Sequence, residues 1–355
     1  MIRRLVVVST LVAVVLGMAA SRCVAGAVGV AALPAPDMVF TMTDGFVLPA
    51  RVWRPAPGVA ARGVILALHG FTDSRDAWEM PAPGFAADGY TVFAPDQRGF
   101  GGTADRGVWP GREVLVDDAA AVAAQLRARF PGQRLVLMGE SMGGAVAMCL
   151  AARAPATADA YVLLAPAVWG RAQMKLPVRG GLWVANRVAP GYRLFGNEVQ
   201  LDIAASDNRD ALIRLATDPL TLRGSTVAML HGLVDLMDDA QAAAPHLPPH
   251  TLVLAGRLDQ IVPVAAMAVA WAKMPAAVRR GFYLNGYHLL LRDRDRALVQ
   301  GDILAWLDDP DRWLPSGADV NAGAWASDHG WSGSTAAALP AEVLDGAGER
   351  STWPY

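Results

Sequence analysis

At 355 residues the chain has room for one large α/β domain or two small ones, and 53% hydrophobic against 18% charged residues is ample for a sizeable core. A net charge of −2 supplies no global attraction for nucleic acid, so no nucleic-acid partner is expected. Only two cysteines occur, Cys23 and Cys149, without the spacing of a zinc or redox site, which argues against a disulfide scaffold.

The chain begins with a short basic stretch, Met1-Ile2-Arg3-Arg4, and continues apolar from Leu5 to Ala20 apart from Ser9 and Thr10. Small residues follow, with Ala25-Gly26-Ala27 a plausible cleavage site. These are the three parts of a secretory leader, so residues 1–27 are expected to be a signal peptide or an uncleaved membrane anchor. Lipid modification at Cys23 is a further option, with Arg22 before it a poor neighbour. The folded part is then expected to be exported, periplasmic or secreted, or membrane-anchored.

From Met38 to Arg54 the pattern predicts a hairpin: Val39 to Met42, a turn at Asp44-Gly45, then Val47 to Trp53. Gly63 to His69 reads as a buried parallel strand, followed by the polar loop His69-Gly70-Phe71-Thr72-Asp73-Ser74. A helix is expected around Ala77 to Asp88, then a strand at Thr91 to Ala94 ending in Pro95-Asp96-Gln97-Arg98-Gly99-Phe100-Gly101. Val114 to Phe130 is helical in pattern, Leu135 to Met138 a buried strand, Ala145 to Arg153 a helix and Ala160 to Leu164 a strand. This alternation predicts a mostly parallel sheet with helices on both faces, formed first by residues 28–166.

Residues 167–237 break the alternation and read as an inserted helical cap without a convincing strand. The core pattern resumes over 238–315, with strands at Thr251 to Ala255 and Phe282 to Leu284 and a closing helix from Arg296 to Leu307. Residues 316–355, rich in Gly, Ala and Ser, are expected to lack fixed structure despite Trp325, Trp331 and Trp353.

The chemistry centres on Gly139-Glu140-Ser141-Met142-Gly143, the pattern G-x-S-x-G between a strand and a helix. Glycines at those positions permit a strained turn and close strand–helix packing that a Cβ would obstruct. A serine hydroxyl needs a base, and the base needs an orienting group. Of six histidines, His288 follows the last core strand and is the expected general base. His69 lies on the first loop, His231 in the cap, His246 and His250 among prolines, and His329 in the tail. Asp259, in a Gly-containing loop after a buried strand, is the expected acid; Asp235, Asp238 and Asp239 are weaker candidates, and Asp96 is expected to hold its own loop. Preorganised N–H donors for the oxyanion are expected from the backbone of Met142 and Phe71, with Gly70 allowing close approach.

Taken together, these stretches resemble the α/β-hydrolase superfamily, specifically the monoacylglycerol lipase and lysophospholipase-like serine hydrolases. His69-Gly70-Phe71, Asp96 to Gly101, Gly139 to Gly144, Gly256-Arg257-Leu258-Asp259 and Gly286-Tyr287-His288 fall in the family's order, and Asp207-Asn208 and Asp218-Pro219-Leu220 resemble its cap. The resemblance implies an α/β-hydrolase fold, a Ser141, Asp259 and His288 triad, Phe71 and Met142 as oxyanion donors, and a lipid ester or other small ester as substrate. No cofactor or metal is implied. Phe71-Thr72-Asp73-Ser74 departs from the Gly-Glu-His that usually follows the family's His-Gly pair, which leaves the alcohol-side preference open.

The cap holds Trp169, Met174, Leu176, Trp183, Leu194, Phe195, Met229, Leu230, Leu233 and Met237, which could line an acyl channel or simply pack the cap onto the core. Between Ala167 and Asn197 stand Arg171, Lys175, Arg179, Arg187 and Arg193 with no Asp or Glu, so contact with an anionic membrane surface is a further expectation, set against an ordinary solvated face. Two other activities fit the same residues: acyl transfer to an alcohol or perhydrolysis on the same triad, and a non-catalytic binding protein of the same fold.

Overall fold

The hairpin near the start forms β1 (Met38–Thr41) and β2 (Val47–Trp53), paired antiparallel. They begin a computed structural model that describes residues 33–195 and 203–328. The expected leader, Cys23, His329, Trp331 and Trp353 lie outside the described residues.

The sheet continues through β3 (Gly63–Leu68), β4 (Tyr90–Pro95), β5 (Leu135–Glu140), β6 (Ala160–Leu164), β9 (Thr251–Gly256) and β10 (Arg279–Tyr283). Its order is β1-β2-β4-β3-β5-β6-β9-β10, parallel from β4 onward, with β1 and β2 antiparallel. β3, β5, β6 and β9 are buried along their whole length, which is why they read as continuous apolar runs rather than alternating ones. Their side chains still separate by period two: Val64, Leu66, Leu68, Leu135 and Leu137 join one core, and Ile65, Ala67, Val136 and Met138 the other.

On the first face lie α2 (Arg112–Arg129), α3 (Met142–Arg153), α6 (Val227–Ala243) and α7 (Val264–Lys273). The other carries α1 (Ala82–Ala87) and α8 (Arg296–Asp308). The chain is therefore an eight-stranded, mostly parallel sheet covered on both sides, as the alternation predicts. Two details differ. The helix expected over 77–88 is a 3-10 turn at Arg75–Trp78 followed by α1, because Pro81 and Pro83 interrupt one continuous helix. The last strand starts three residues early, at Arg279, since Arg280 is buried with its guanidinium donating to the carbonyls of Trp271, Met274 and Val278. Burial pushes that guanidinium down to about 10.

The cap contains α4 (Leu176–Val188) and α5 (Arg209–Thr217), and also a short antiparallel pair that the pattern does not reveal, β7 (Arg193–Phe195) with β8 (Gly224–Thr226). α6 runs through the expected cap boundary at 237. Beyond Ser316, residues expected to be without fixed structure form α9 (Ala318–Asp328). Trp325 stacks on Phe282 with centroids 4.4 Å apart and meets Trp271 edge-on at 5.1 Å. Leu314 and Ala318 belong to one face's core and Ala322 packs into the other's, so this segment crosses the outer side of β10.

Candidate active site

Ser141 sits between β5 and α3 at φ 55° and ψ −114°, a strained conformation for a residue with a Cβ. The strain is held by hydrogen bonds on both sides. Ser141 N–H donates to Leu164 O at 2.9 Å, and its carbonyl accepts from Ala145 and Ala167 at 3.0 and 2.9 Å. Glycine is required next to it: a Cβ on Gly139 would lie 2.3 Å from Gly143 O, and one on Gly143 2.3 Å from Leu68 O. The serine itself is half-exposed.

His288 is buried, and its Nδ1 lies 2.8 Å from Asp259 Oδ2. The carboxylate is fixed in turn, because Asp259 Oδ1 accepts from Ile261 and Val262 N–H at 2.8 and 2.9 Å. The two loops are stitched together by Leu258 N–H donating to Gly286 O at 2.9 Å. Burial works against the charged imidazole, but the Asp259 carboxylate, by charge and hydrogen bond, and Glu140 by charge outweigh it, and the His288 pKa is raised.

Beside the serine runs the loop after β3. A Cβ on Gly70 would stand 3.3 Å from Ser141 Cβ, so the backbone preceding Phe71 passes directly alongside Ser141. Gly143 N–H donates to His69 O at 3.1 Å, tying this loop to α3. His69 Nε2 accepts from Gln97 N–H at 3.0 Å, which leaves Nδ1 as the protonated nitrogen, donating to Gly70 O at 2.8 Å. Met142 is the first residue of α3, so its N–H is one of those a helix leaves without an intrahelical partner.

The remaining candidates fall elsewhere. Asp96 ion-pairs with Arg75 and accepts from Gly102 N–H at 2.8 Å, holding its own loop. Asp235 and Asp238 bind Arg171 inside the cap, Asp239 meets Arg112 at 2.8 Å, and His231 faces Asp235 at 3.3 Å. Cys149 is a free thiol in α3, pushed by burial up to about 12, which leaves it inert. The sequence reading gives no role to three residues that the structure brings together, Asp73, Glu140 and Arg292. Arg292, four places after His288, ion-pairs with Glu140 and with Asp73, the latter at 2.9 Å. No local pattern links positions that far apart in the chain.

A serine on a tight strand–helix turn, with a carboxylate-bound histidine after the last strand of a parallel sheet, is the arrangement of the α/β-hydrolases. The family model described as serine aminopeptidase, S33, matches residues 59–295, and the chain belongs to that family. It is 25% identical over 260 residues to a monoacylglycerol lipase of Mycolicibacterium smegmatis, covering 72% of this chain and 91% of the relative. It is also 32% identical over 266 residues to a 2-hydroxymuconate semialdehyde hydrolase of a Pseudomonas species, covering 69% and 87%. The crystal structure of a soluble variant of monoglyceride lipase from Saccharomyces cerevisiae superposes with a TM-score of 0.67 over 79% of this chain and 97% of that one. At 18% identity, that likeness speaks to the fold.

Proposed function

We propose that this serine hydrolase cleaves carboxylic esters of single-chain lipids, monoacylglycerol or lysophospholipid, through an acyl-enzyme. The observation that carries the proposal is the 2.8 Å His288–Asp259 pair on the loops that follow β9 and β10, in a sheet whose strand β5 leads into a serine held at positive φ. In this mechanism Ser141 Oγ attacks the ester carbonyl as its proton passes to the imidazole. Asp259 holds the ring's tautomer and stabilises the imidazolium. The Met142 and Phe71 N–H groups receive the developing oxyanion. His288 then returns the proton to the leaving alcohol, and water, activated by the same base, releases the acid. The monoacylglycerol lipase relative supports the lipid substrate.

We also infer that α4 rests on an anionic membrane surface. Leu176, Trp183, Val184 and Val188 are exposed on it, and Lys175, Arg179 and Arg187 accompany them. The cationic set is smaller than the sequence suggests, because the Arg171 charge is taken up by Asp235 and Asp238.

The test is an ester panel of monoacylglycerols, lysophospholipids and short p-nitrophenyl esters on wild type and Ser141→Ala, with fluorophosphonate labelling of Ser141 in parallel. Hydrolysis and labelling, both abolished by Ser141→Ala, are expected. Transfer of the acyl group to added glycerol, or peracid formation with peroxide, in place of hydrolysis would make the enzyme an acyltransferase or perhydrolase. A native protein that never labels would make it a binding protein.

A further inference from the structure

Three loops must keep a fixed relation for this chemistry: the turn carrying Ser141, the loop carrying Phe71, and the loop carrying His288. One side chain touches all three. Arg292 lies on the base loop, where its N–H donates to Leu289 O at 2.7 Å and its carbonyl accepts from Asn208 Nδ2 at 2.9 Å. Its guanidinium reaches Glu140, the residue immediately before the nucleophile, with one terminal nitrogen. The other reaches Asp73, two residues beyond Phe71, at 2.9 Å. Glu140 Oε1 also stands 3.9 Å from where a Gly70 Cβ would be, against the backbone that leads into Phe71.

All three side chains are buried, at 5% exposure or less for each residue, and Arg292 Nε has no hydrogen-bond partner among the described residues. Two carboxylates and one guanidinium out of water, with a donor left over, are a poor way to gain stability; apolar side chains of similar volume usually serve as well or better. A planar fork that spans two carboxylates at a set separation does give registry, which a point charge on a flexible stem does not.

We propose that Arg292 is a positioning residue for the hydrolysis, its guanidinium holding the nucleophile turn, the oxyanion loop and the base loop in their reactive relation through Glu140 and Asp73. The assignment rests on the serine-hydrolase reading, and is independent of which ester is cleaved. The charged and titratable groups facing His288 are Asp259 from the loop after β9, Glu140 from the end of β5, and Arg292 from its own loop, with Asp293 beside Arg292. Each protein is therefore compared on the alkaline plateau of its own labelling profile, where the rate no longer rises with pH, so that the comparison reads geometry rather than protonation.

The experiment measures the second-order rate of fluorophosphonate labelling of Ser141 on that plateau, together with the urea midpoint, for three proteins. These are wild type, Arg292→Lys, and the neutral triple Asp73→Asn, Glu140→Gln, Arg292→Met. The triple removes all three charges together, so no buried ion is left unpaired; it is expected to fold and to label at least tenfold more slowly. Arg292→Lys keeps the charge balance and tests the fork even if the triple fails to fold; it is expected to label at least threefold more slowly with its urea midpoint unchanged. Either variant labelling at the wild-type rate would overturn the assignment. A wild type that never labels would instead sink the serine-hydrolase reading, and the role of Arg292 with it.

Discussion

His288 presents Nδ1 to Asp259 Oδ2 at 2.8 Å, while the other oxygen of that carboxylate is occupied by the amides of Ile261 and Val262. A carboxylate only accepts hydrogen bonds, so Nδ1 carries the proton and Nε2 is left as the basic nitrogen. Asp259→Asn keeps the shape and removes the charge, and its amide favours the opposite tautomer. It is expected to lower kcat on a p-nitrophenyl ester about 10³- to 10⁴-fold with the fold intact. A variant that retains kcat within a factor of ten would remove Asp259 from the proposed triad.

With His288 as the proposed general base, its raised pKa is expected to set the acid limb of the pH profile. The base must be neutral to accept a proton, so kcat/KM is expected to fall as pH drops through a midpoint above the ordinary histidine value of about 6.5. Stability runs the other way: the fold favours the imidazolium, so this group's contribution is full below about 6.5 and is lost as pH rises through the raised value. An acid limb centred well below 6 would contradict the environment described for this ring.

Glycine substitutions separate packing from propensity. Gly143→Ala drives a Cβ to 2.3 Å from Leu68 O, so it is expected to destabilise by about 1–3 kcal/mol and to disturb the nucleophile turn. Gly180→Ala, on the exposed side of α4 with nothing within 4 Å, is expected to stabilise by about 0.5–1 kcal/mol. Urea denaturation of both variants reads the contrast, and the same sign for the two would refute it.

Most of the fold was legible because strands buried on both faces are continuous apolar runs, and β3, β5, β6 and β9 are of that kind. The start of β10 was not, since two arginines open it and burial of Arg280 is made tolerable only by carbonyls brought in from α7 and the turn after it. α9 was hidden by a composition of Gly, Ala and Ser, in which one aromatic, Trp325, supplies much of the anchoring. At the site, Ser141, His288 and Asp259 carry local signatures of turn and loop. Arg292 carries none: its meaning depends on Glu140, 152 residues away, which only the folded sheet brings to it.

Trp325→Ala removes both the stack on Phe282 and the edge contact with Trp271. A loss of about 3 kcal/mol is expected, with catalysis on soluble esters unchanged because the contacts lie at β10 and α7 rather than at the Ser141 turn. Chemical denaturation beside an ester assay checks both halves. An undiminished stability would mean that α9 is not bound there in solution.

The α4 surface predicts salt-sensitive adsorption to vesicles containing anionic lipid. Replacing Lys175, Arg179 and Arg187 by Gln is expected to weaken binding about a hundredfold at low salt, at roughly 1 kcal/mol per cation, and to leave turnover of soluble esters intact. Vesicle sedimentation that responds to neither salt nor these substitutions would refute membrane docking through α4.

An open sheet has two terminal strands, and each can template another chain. By passing across β10, the segment from Leu314 to Trp325 blocks one of them. Within the eight-stranded sheet, and among the described residues, backbone pairing between copies is thereby left with the β1 margin. One open margin of that sheet can join two molecules and then has nothing further to offer, so strand addition through this sheet ends at a pair.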